Sequence, residues 1–278
     1  MKFSVITPTY NNLDKLKRCV GSVRGQMDVD YEHLIQDGGS SDGTQNWLQL
    51  NDDIDWQSEK DNGMYAAINK GWQRASGDIL SWLNSDEQYL PGTLKKVERY
   101  FSLNPDIDFL YGDALVINTD GSLIAARREI RLSPVYIKNS FLNAFSCTFF
   151  FRRRLFDQGL LNFDERYKYA ADMDMILRLL SEGTRYDKIN DYLAAFTLDG
   201  TNLSCHQGML DETTDIQRRY GGYRTHLLRK MVMMGRYVER YISGSYRRVN
   251  VEYQYCINEI PEYKIICGNS IPGSYKTR

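Results

Sequence analysis

The sequence predicts an α/β fold built on a mainly parallel sheet. Three observations lead there. Short apolar strands recur through the first hundred residues, at Phe3 to Thr7, Tyr31 to Gln36, Trp56 to Ser58 and Ile79 to Leu83. Stretches with apolar residues three and four apart lie between them, the period of one helix face. Each strand also runs out into a polar or acidic loop. Strands alternating with helices are βαβ units, whose strands lie parallel, and such sheets take ligands beyond the carboxyl ends of their strands.

Taken in order, Asn12 caps a helix that places Leu13, Leu16, Val20 and Val23 on one face. The second strand ends in Asp37-Gly38-Gly39-Ser40-Ser41-Asp42-Gly43-Thr44, and Trp47 and Leu48 begin a helical patch. The third leads through Glu59-Lys60-Asp61-Asn62-Gly63 into a helix carrying Met64, Ala67, Ile68, Gly71, Trp72 and Ala75. The Ile79 strand closes on Asn84-Ser85-Asp86-Glu87, and after Pro91 a helix carries Leu94, Val97 and Phe101.

After Pro105 the texture becomes mixed α+β. Strands are expected at Ile107 to Tyr111 and Ala114 to Ile117, with a hairpin signal at Asn118-Thr119-Asp120-Gly121. A strand from Thr148 to Phe151, a helix from Asp172 to Leu180 and a strand from Tyr192 to Leu198 follow. From about Glu212 the chain reads as helical and increasingly basic. Leu227, Met231, Met234, Val238 and Tyr241 step by four, three, four and three residues among Arg229, Lys230, Arg236, Arg240, Arg247 and Arg248. Such a stripe packs onto the domain or, as a basic amphipathic segment, touches an anionic membrane. The last thirty residues show no clear period.

Bulk properties exclude several classes. A net charge of −1 argues against a dedicated nucleic-acid binder. Five cysteines without paired spacing indicate neither a disulfide framework nor a zinc site, and read as reduced cytosolic thiols. Pro8 breaks the short N-terminal apolar run, so it is no signal peptide. No stretch approaches the ~20 apolar residues of a membrane span. The expectation is a cytoplasmic protein, peripheral to the membrane at most.

Asp86 is the most informative residue. A strand ending in Asn84-Ser85-Asp86-Glu87 sets oxygen ligands at a sheet edge, which suits Mg2+ or Mn2+ and, through it, a diphosphate. The Asp37 loop is neither a Walker loop nor a Rossmann fingerprint. Gly38 and Gly39 permit close backbone approach, and Asp37 is placed to accept hydrogen bonds from a base or ribose; a plain glycine-rich turn is the other reading. Asp61 is a ligand or a helix cap. Lys70 faces a phosphate or only solvent. Asp172 and Asp174, two apart on a helix, point to different faces. One of them is a candidate general base, and dipole-stabilising acids explain both equally. His206 is a lone histidine on a loop.

The ordered set Ser4-Val5-Ile6-Thr7-Pro8-Thr9-Tyr10-Asn11, the Asp37 loop, Ser58 to Tyr65, Asn69-Lys70-Gly71, Leu83-Asn84-Ser85-Asp86 and Ala171-Asp172-Met173-Asp174 with Arg178 resembles family-2 glycosyltransferases. More narrowly it is similar to bacterial enzymes of O-antigen, capsule and colanic-acid-type polysaccharides. The resemblance spans roughly residues 3 to 205. It implies a GT-A fold over residues 1–220, with a nucleotide-sugar-binding half (1–105) and an acceptor-binding half (106–220), followed by a helical, basic extension (221–278). It implies nucleotide contacts at Thr7, Pro8, Thr9, Tyr10, Asp37, Gly38, Asp61, Lys70, Asn84 and Ser85. It implies a metal ligand at Asp86, more weakly His206, and a general base at Asp172. It implies inverting transfer with Mn2+ or Mg2+ from a nucleotide-sugar, a UDP-sugar first, to a saccharide on a lipid diphosphate such as undecaprenyl diphosphate.

The sequence departs from the family's pattern in four places. Asn84 stands for an aspartate, Glu87 for another, Ser146-Cys147 for a His-Gln pair and Ala171 for a glutamate. Two other classes compete, a sugar nucleotidyltransferase and a non-catalytic nucleotide- or carbohydrate-binding domain. The first expects a glycine-rich, basic loop after the first strand, where Thr7-Pro8-Thr9-Tyr10-Asn11-Asn12 stands. The second would bind UDP without turning over any donor.

Overall fold

The computed structural model describes residues 1–200, 202 and 206–270. Cys205 and residues 271–278 of the expected extension lie outside the described residues. β1 (Lys2–Thr9), α1 (Leu13–Arg24), β2 (Asp30–Asp37), α2 (Thr44–Gln49), β3 (Asp55–Ser58), α3 (Met64–Arg74) and β4 (Ile79–Trp82) follow in chain order. The strands pair in parallel in the order β3-β2-β1-β4. Phe3 to Thr9 are all buried, as expected of a central parallel strand covered on both faces. Thr9 lies opposite Asp37, and Asp37 opposite Ser58. Three loops therefore leave the sheet at one level. Leu83 donates its N–H to the Ile6 carbonyl at 2.9 Å, so the β4 exit opens beside them.

The second half continues the sheet. β5 (Glu87–Tyr89), α4 (Thr93–Leu103), β6 (Phe109–Ile117), β7 (Leu123–Arg127), α5 (Pro134–Ile137), a 3₁₀ turn at Ser146–Thr148, β8 (Phe150–Arg152), α6 (Arg153–Asp157), α7 (Ala171–Ser181) and β9 (Tyr186–Thr197) follow. β8 joins β4 antiparallel, and the order runs on as β8-β6-β9-β5, with β7 on β6. α8 (Gln207–Arg219), α9 (His226–Ile242) and the hairpin β10 (Val249–Cys256) with β11 (Tyr263–Ser270) complete the described chain.

An aromatic core welds the halves. Trp82 stacks on Phe149 and Phe151 at 6.3 and 5.9 Å and meets Trp72 and Phe163 edge-on at 5.8 and 5.2 Å. Such pairs add about 0.5–1.5 kcal/mol each beyond their area. Gly71 lets α3 lie directly on β1, since a Cβ there would meet Ile6 Cγ2 at 2.5 Å.

The structure amends several expectations. Phe109–Ile117 is one strand rather than two, because its pairing with β9 absorbs a register shift at Tyr111/Asp113. Thr148 sits in the 3₁₀ turn, not in β8. Glu87 opens a strand, β5, that the acidic texture concealed. The helical reading of 221–278 fails over 249–270, which is a hairpin. Val249, Val251, Tyr253 and Tyr255 alternate with polar residues there, the period-2 signal that marks a strand.

Candidate active site

The edge above the parallel strands gathers most of the expected residues. Gly38 donates its N–H to the Thr9 carbonyl at 2.9 Å. A Cβ on Gly38 would stand 3.2 Å from Asp61 Oδ2 and 3.4 Å from Tyr10 Cδ2. Tyr10, Gly38 and Asp61 therefore form one slot. Tyr10 is 65% exposed, and Asp61 Oδ1 accepts the Gly63 N–H at 2.8 Å. The buried Thr9 Oγ1 has no hydrogen-bond partner.

Local hydrogen bonds hold this slot open. Asn11 adopts a left-handed φ of 48°, and its N–H donates to Ser40 Oγ at 2.8 Å while its Oδ1 accepts from Ser41 N at 2.8 Å. Asp42 receives the Leu13 and Thr44 N–H groups at 3.0 and 3.1 Å. The loops after β1 and β2 thus form one unit.

Five residues sit otherwise than the sequence implied. Asp37 is fully buried, and takes hydrogen bonds from Ser40 Oγ, Ser58 Oγ and the Ser40 N–H. It shapes the loop, in which Gly38 is buried and Gly39 is exposed. Thr7 is also fully buried, with its hydroxyl 2.8 Å from His33 Nε2, and so is a core residue; Pro8 beside it is buried within β1. Lys70 forms an ion pair with Glu59 at 2.8 Å, which occupies the charge assigned to a phosphate. His206 caps α8 by accepting the Gly208 N–H at 3.2 Å and stacks on Tyr169 at 4.3 Å. Among the described residues no three His, Cys, Asp or Glu gather to hold a metal.

The β4 exit is an oxygen-lined corner. Asn12 Nδ2 donates to Ser85 Oγ at 3.0 Å, tying this exit to the β1 loop. Asn84 Oδ1 is buried without a hydrogen-bond partner. Burial pushes the Asp86 carboxyl above its ordinary pKa, Lys15 opposing and Asp199 adding to the shift. Its Oδ2 accepts from Asn202 Nδ2 at 3.4 Å. Glu87 is fully buried, and accepts from the Asn84 N–H at 2.8 Å and Ser146 Oγ at 3.2 Å. An orphaned amide oxygen beside a carboxylate fits a hard cation. Mg2+ and Mn2+ sites use one or two protein carboxylates and take further oxygens from phosphates and water.

Asp172 sits in the first turn of α7. Its Oδ1 accepts the Tyr65 hydroxyl at 3.2 Å and the Met173 N–H at 2.8 Å. Tyr65 lies in the first turn of α3, just past Asp61. The base candidate is therefore tied to the helix that leaves the Tyr10–Gly38–Asp61 slot. Burial raises the Asp172 pKa, and the Glu212 carboxylate adds to that. Glu212 itself accepts three backbone N–H groups, from Lys168, Tyr169 and Ala170, at 2.8–2.9 Å, and so fixes the turn before α7. Asp174 points the other way, fully buried and 3.0 Å from Arg219. The two acids divide as their spacing required, Asp172 toward Tyr65 and Asp174 toward Arg219. Tyr65, Glu212 and Asn202 were given no role by the sequence. Only the position of Tyr65 at the start of a rim helix hinted at one.

The comparisons agree with this architecture. The family model Glycosyl transferase family 2 matches residues 4–160. A PGL/p-HBAD biosynthesis glycosyltransferase of Mycobacterium bovis is 30% identical, over 66% of this chain and 73% of that relative. An uncharacterized glycosyltransferase of Mycobacterium tuberculosis is 32% identical, over 80% of this chain and 87% of the relative. Among solved structures, S. aureus TarS 1–349 in complex with UDP-GlcNAc aligns with a TM-score of 0.65 at 18% identity, covering 87% of this chain and 73% of that one. Against the longer TarS chain the coverage is 44%. The Pyrobaculum calidifontis mannosyltransferase PcManGT, in complex with GDP-Man and Mn2+, aligns at 0.57 with 16% identity, over 87% and 75%. These neighbours share the GT-A architecture. With the family model over more than half its length and the relatives' identity beside it, the chain belongs to glycosyl transferase family 2 and is a glycosyltransferase.

Proposed function

We propose that the chain moves a sugar from a nucleotide-sugar donor, a UDP-sugar first among them, to a hydroxyl of a saccharide acceptor. Transfer inverts the anomeric carbon and uses Mn2+ or Mg2+. The observation that carries the reading is the tether from Asp172 through Tyr65 to the rim that bears Tyr10, Gly38, Asp61 and Asp86. In this reading the base and ribose enter between Tyr10 and Asp61, with Thr9 Oγ1 as a free polar contact. Asp86 and the Asn84 amide oxygen would hold the cation. When bound, it neutralises the charge that develops on the departing diphosphate.

Asp172 takes the acceptor proton. Among the described residues its hydrogen bonds run to Oδ1, which leaves Oδ2 for the incoming hydroxyl. Burial makes it a stronger base than an exposed carboxylate. The acceptor oxygen forms its bond to the anomeric carbon as the nucleoside diphosphate leaves from the opposite face. The acceptor is a saccharide carried on a lipid diphosphate, in the assembly of a surface polysaccharide.

Asp172→Asn tests the reading. Turnover of a donor found by a thermal-shift screen of UDP-, GDP- and dTDP-sugars is expected to fall about 10²–10⁴-fold. UDP binding with Mn2+ should stay as in the unaltered chain. Full turnover in Asp172→Asn would remove the base assignment. An unaltered chain that binds UDP tightly yet turns over no donor is a binding module. Retained anomeric configuration in the product, read by NMR coupling, would exclude inversion.

A further inference from the structure

Helix α9 carries its polarity reversed with respect to the body. The stripe Leu227, Met231, Met234, Val238 and Tyr241 is 46–71% exposed. The inner face holds Arg236 and Arg240, each 5% exposed. Arg240 donates to the buried Glu129 carboxylate at 3.0 Å. Arg236 donates to Ser140 Oγ at 3.0 Å and lies 4.0 Å over the Phe141 ring. Turning the stripe inward would strip the buried Glu129 of one of its two arginine partners, leaving Arg127 alone at 3.3 Å. It would also bring Arg236 and Arg240 out of the contacts that satisfy them, and a buried ion pair is broken only at a cost. The roll of the helix is therefore fixed by its arginines. Sequence periodicity found the stripe and, in one of its two readings, assigned it to the core; the structure turns it to the surface. Phe141 and Val135 beside α9 are also exposed and extend the patch. Patches of this kind mark interaction sites.

Charge narrows the occupant. Arg224, Lys230, Arg247 and Arg248 are exposed around the helix. The single acid of residues 221–250, Glu239, is taken up by a hydrogen bond with the Tyr136 hydroxyl. The four-three spacing would also suit a second copy, but paired helices need opposite charges along their flanks. Here two copies would oppose basic residues to basic residues at both ends. An anionic surface satisfies both ends at once. Tyr237 and Tyr241, half or more exposed, have the ring-and-hydroxyl chemistry that sits at headgroup level.

We infer that α9 lies flat in the headgroup boundary of an anionic lipid bilayer, its stripe against the acyl chains and its Arg and Lys residues on the phosphates. This goes beyond the transfer reaction, since it concerns where the enzyme sits. The seating turns the acceptor half to the bilayer. Arg240 meets Glu129, Glu129 meets Arg127, Arg127 lies 6.0 Å over Phe145, and the next residue, Ser146, reaches Glu87 beside Asp86.

Flotation of the full chain with phosphatidylcholine vesicles, with and without phosphatidylglycerol, tests it. Binding is expected only with the anionic lipid and should weaken as salt rises. Met231→Glu with Val238→Glu should lower partition by at least about tenfold, and Arg247→Gln with Arg248→Gln by about tenfold at low salt. Both variants should keep the unfolding midpoint and their turnover on a soluble acceptor, which separates failure of the docking from failure of the transferase reading. No binding by the unaltered chain, or equal binding by the Met231→Glu/Val238→Glu chain, would overturn the inference. So would a dimer seen by light scattering that these substitutions disperse while no lipid binds, which gives the face to a second copy.

Discussion

Gly38→Ala separates the slot from the scaffold. Gly38 does not share the left-handed φ of Gly39, so its backbone accepts alanine. Loss of glycine's freedom in the unfolded chain favours the variant by about 0.4–1 kcal/mol. Against this stands a contact at 3.2 Å with Asp61 Oδ2 and one at 3.4 Å with Tyr10 Cδ2, each met by a shift of a few tenths of an ångström in a partly exposed side chain. Net stability should therefore change by less than about 1 kcal/mol. Affinity should change more. A small gap forfeits a quarter to a half of each ~0.1–0.2 kcal/mol contact, roughly 0.5 kcal/mol over ten contacts to a base. Displacing the Asp61 carboxylate weakens a charged hydrogen bond worth ~1.5–3 kcal/mol. Together these give about 1–2 kcal/mol, a five- to thirtyfold rise in the Kd for UDP. Calorimetry with UDP and Mn2+ beside thermal unfolding reads both quantities. A Kd within about twofold of the unaltered chain, at unchanged midpoint, would mean that no nucleotide lies between Tyr10 and Asp61.

Three further outcomes follow from the same contacts. Asp174→Asn leaves Arg219 and Arg178 without their buried partner. It should cost about 2–4 kcal/mol in urea unfolding, the half-exposed Arg219 softening the loss, while kcat per folded molecule is kept; a cost below ~1 kcal/mol would deny Asp174 its structural role. The Tyr65 hydroxyl lowers the Asp172 pKa that burial raises, so Tyr65→Phe should move the acid limb of kcat/KM to higher pH, and an unmoved limb would uncouple the pair. Burial pushes the His33 imidazole down from 6.5 to about 3. Between those values the unfolded chain takes a proton that the folded chain refuses. Stability should thus fall on acidification through this window, by at most ~1.4 kcal/mol per pH unit. His33→Gln should flatten that slope in unfolding measured from pH 6.5 to 3, and an unchanged slope would rule His33 out.

The parallel half was legible because its physics is local. Apolar strands and helical periods appear in the residues themselves, and the rule that ligands meet strand ends placed Tyr10, Gly38, Asp61 and Asp86 together. Burial was not legible. Thr7 and Asp37 look like site residues by type, yet their register points them at His33 and at Ser40 and Ser58. Partners distant in sequence were equally hidden. Tyr65 and Asp172 are 107 residues apart, and no period links them. The α9 stripe had the right spacing, but its facing depends on Glu129, 111 residues upstream of Arg240. The β10 strand was visible as an alternation that a helical reading passed over.

In the proposed reaction, core packing sets the distance from Asp172 to the donor. Asp172 is not held by a loop. Tyr65 binds it from α3, and α3 begins where the Asp61 turn ends. The Tyr65 ring packs on Phe163 at 4.7 Å, Phe163 stacks on Trp72 at 4.9 Å, and Trp72 meets Trp82, the last residue of β4 before the Asn84–Asp86 corner. The Tyr10–Asp61 slot, the Asn84–Asp86 corner and Asp172, the proposed sites of nucleotide, diphosphate and base, are thus three outlets of one aromatic core. Dense cores move in discrete steps rather than by degrees, and reacting groups must be held to about 0.5 Å. Rigid placement by buried rings meets that demand.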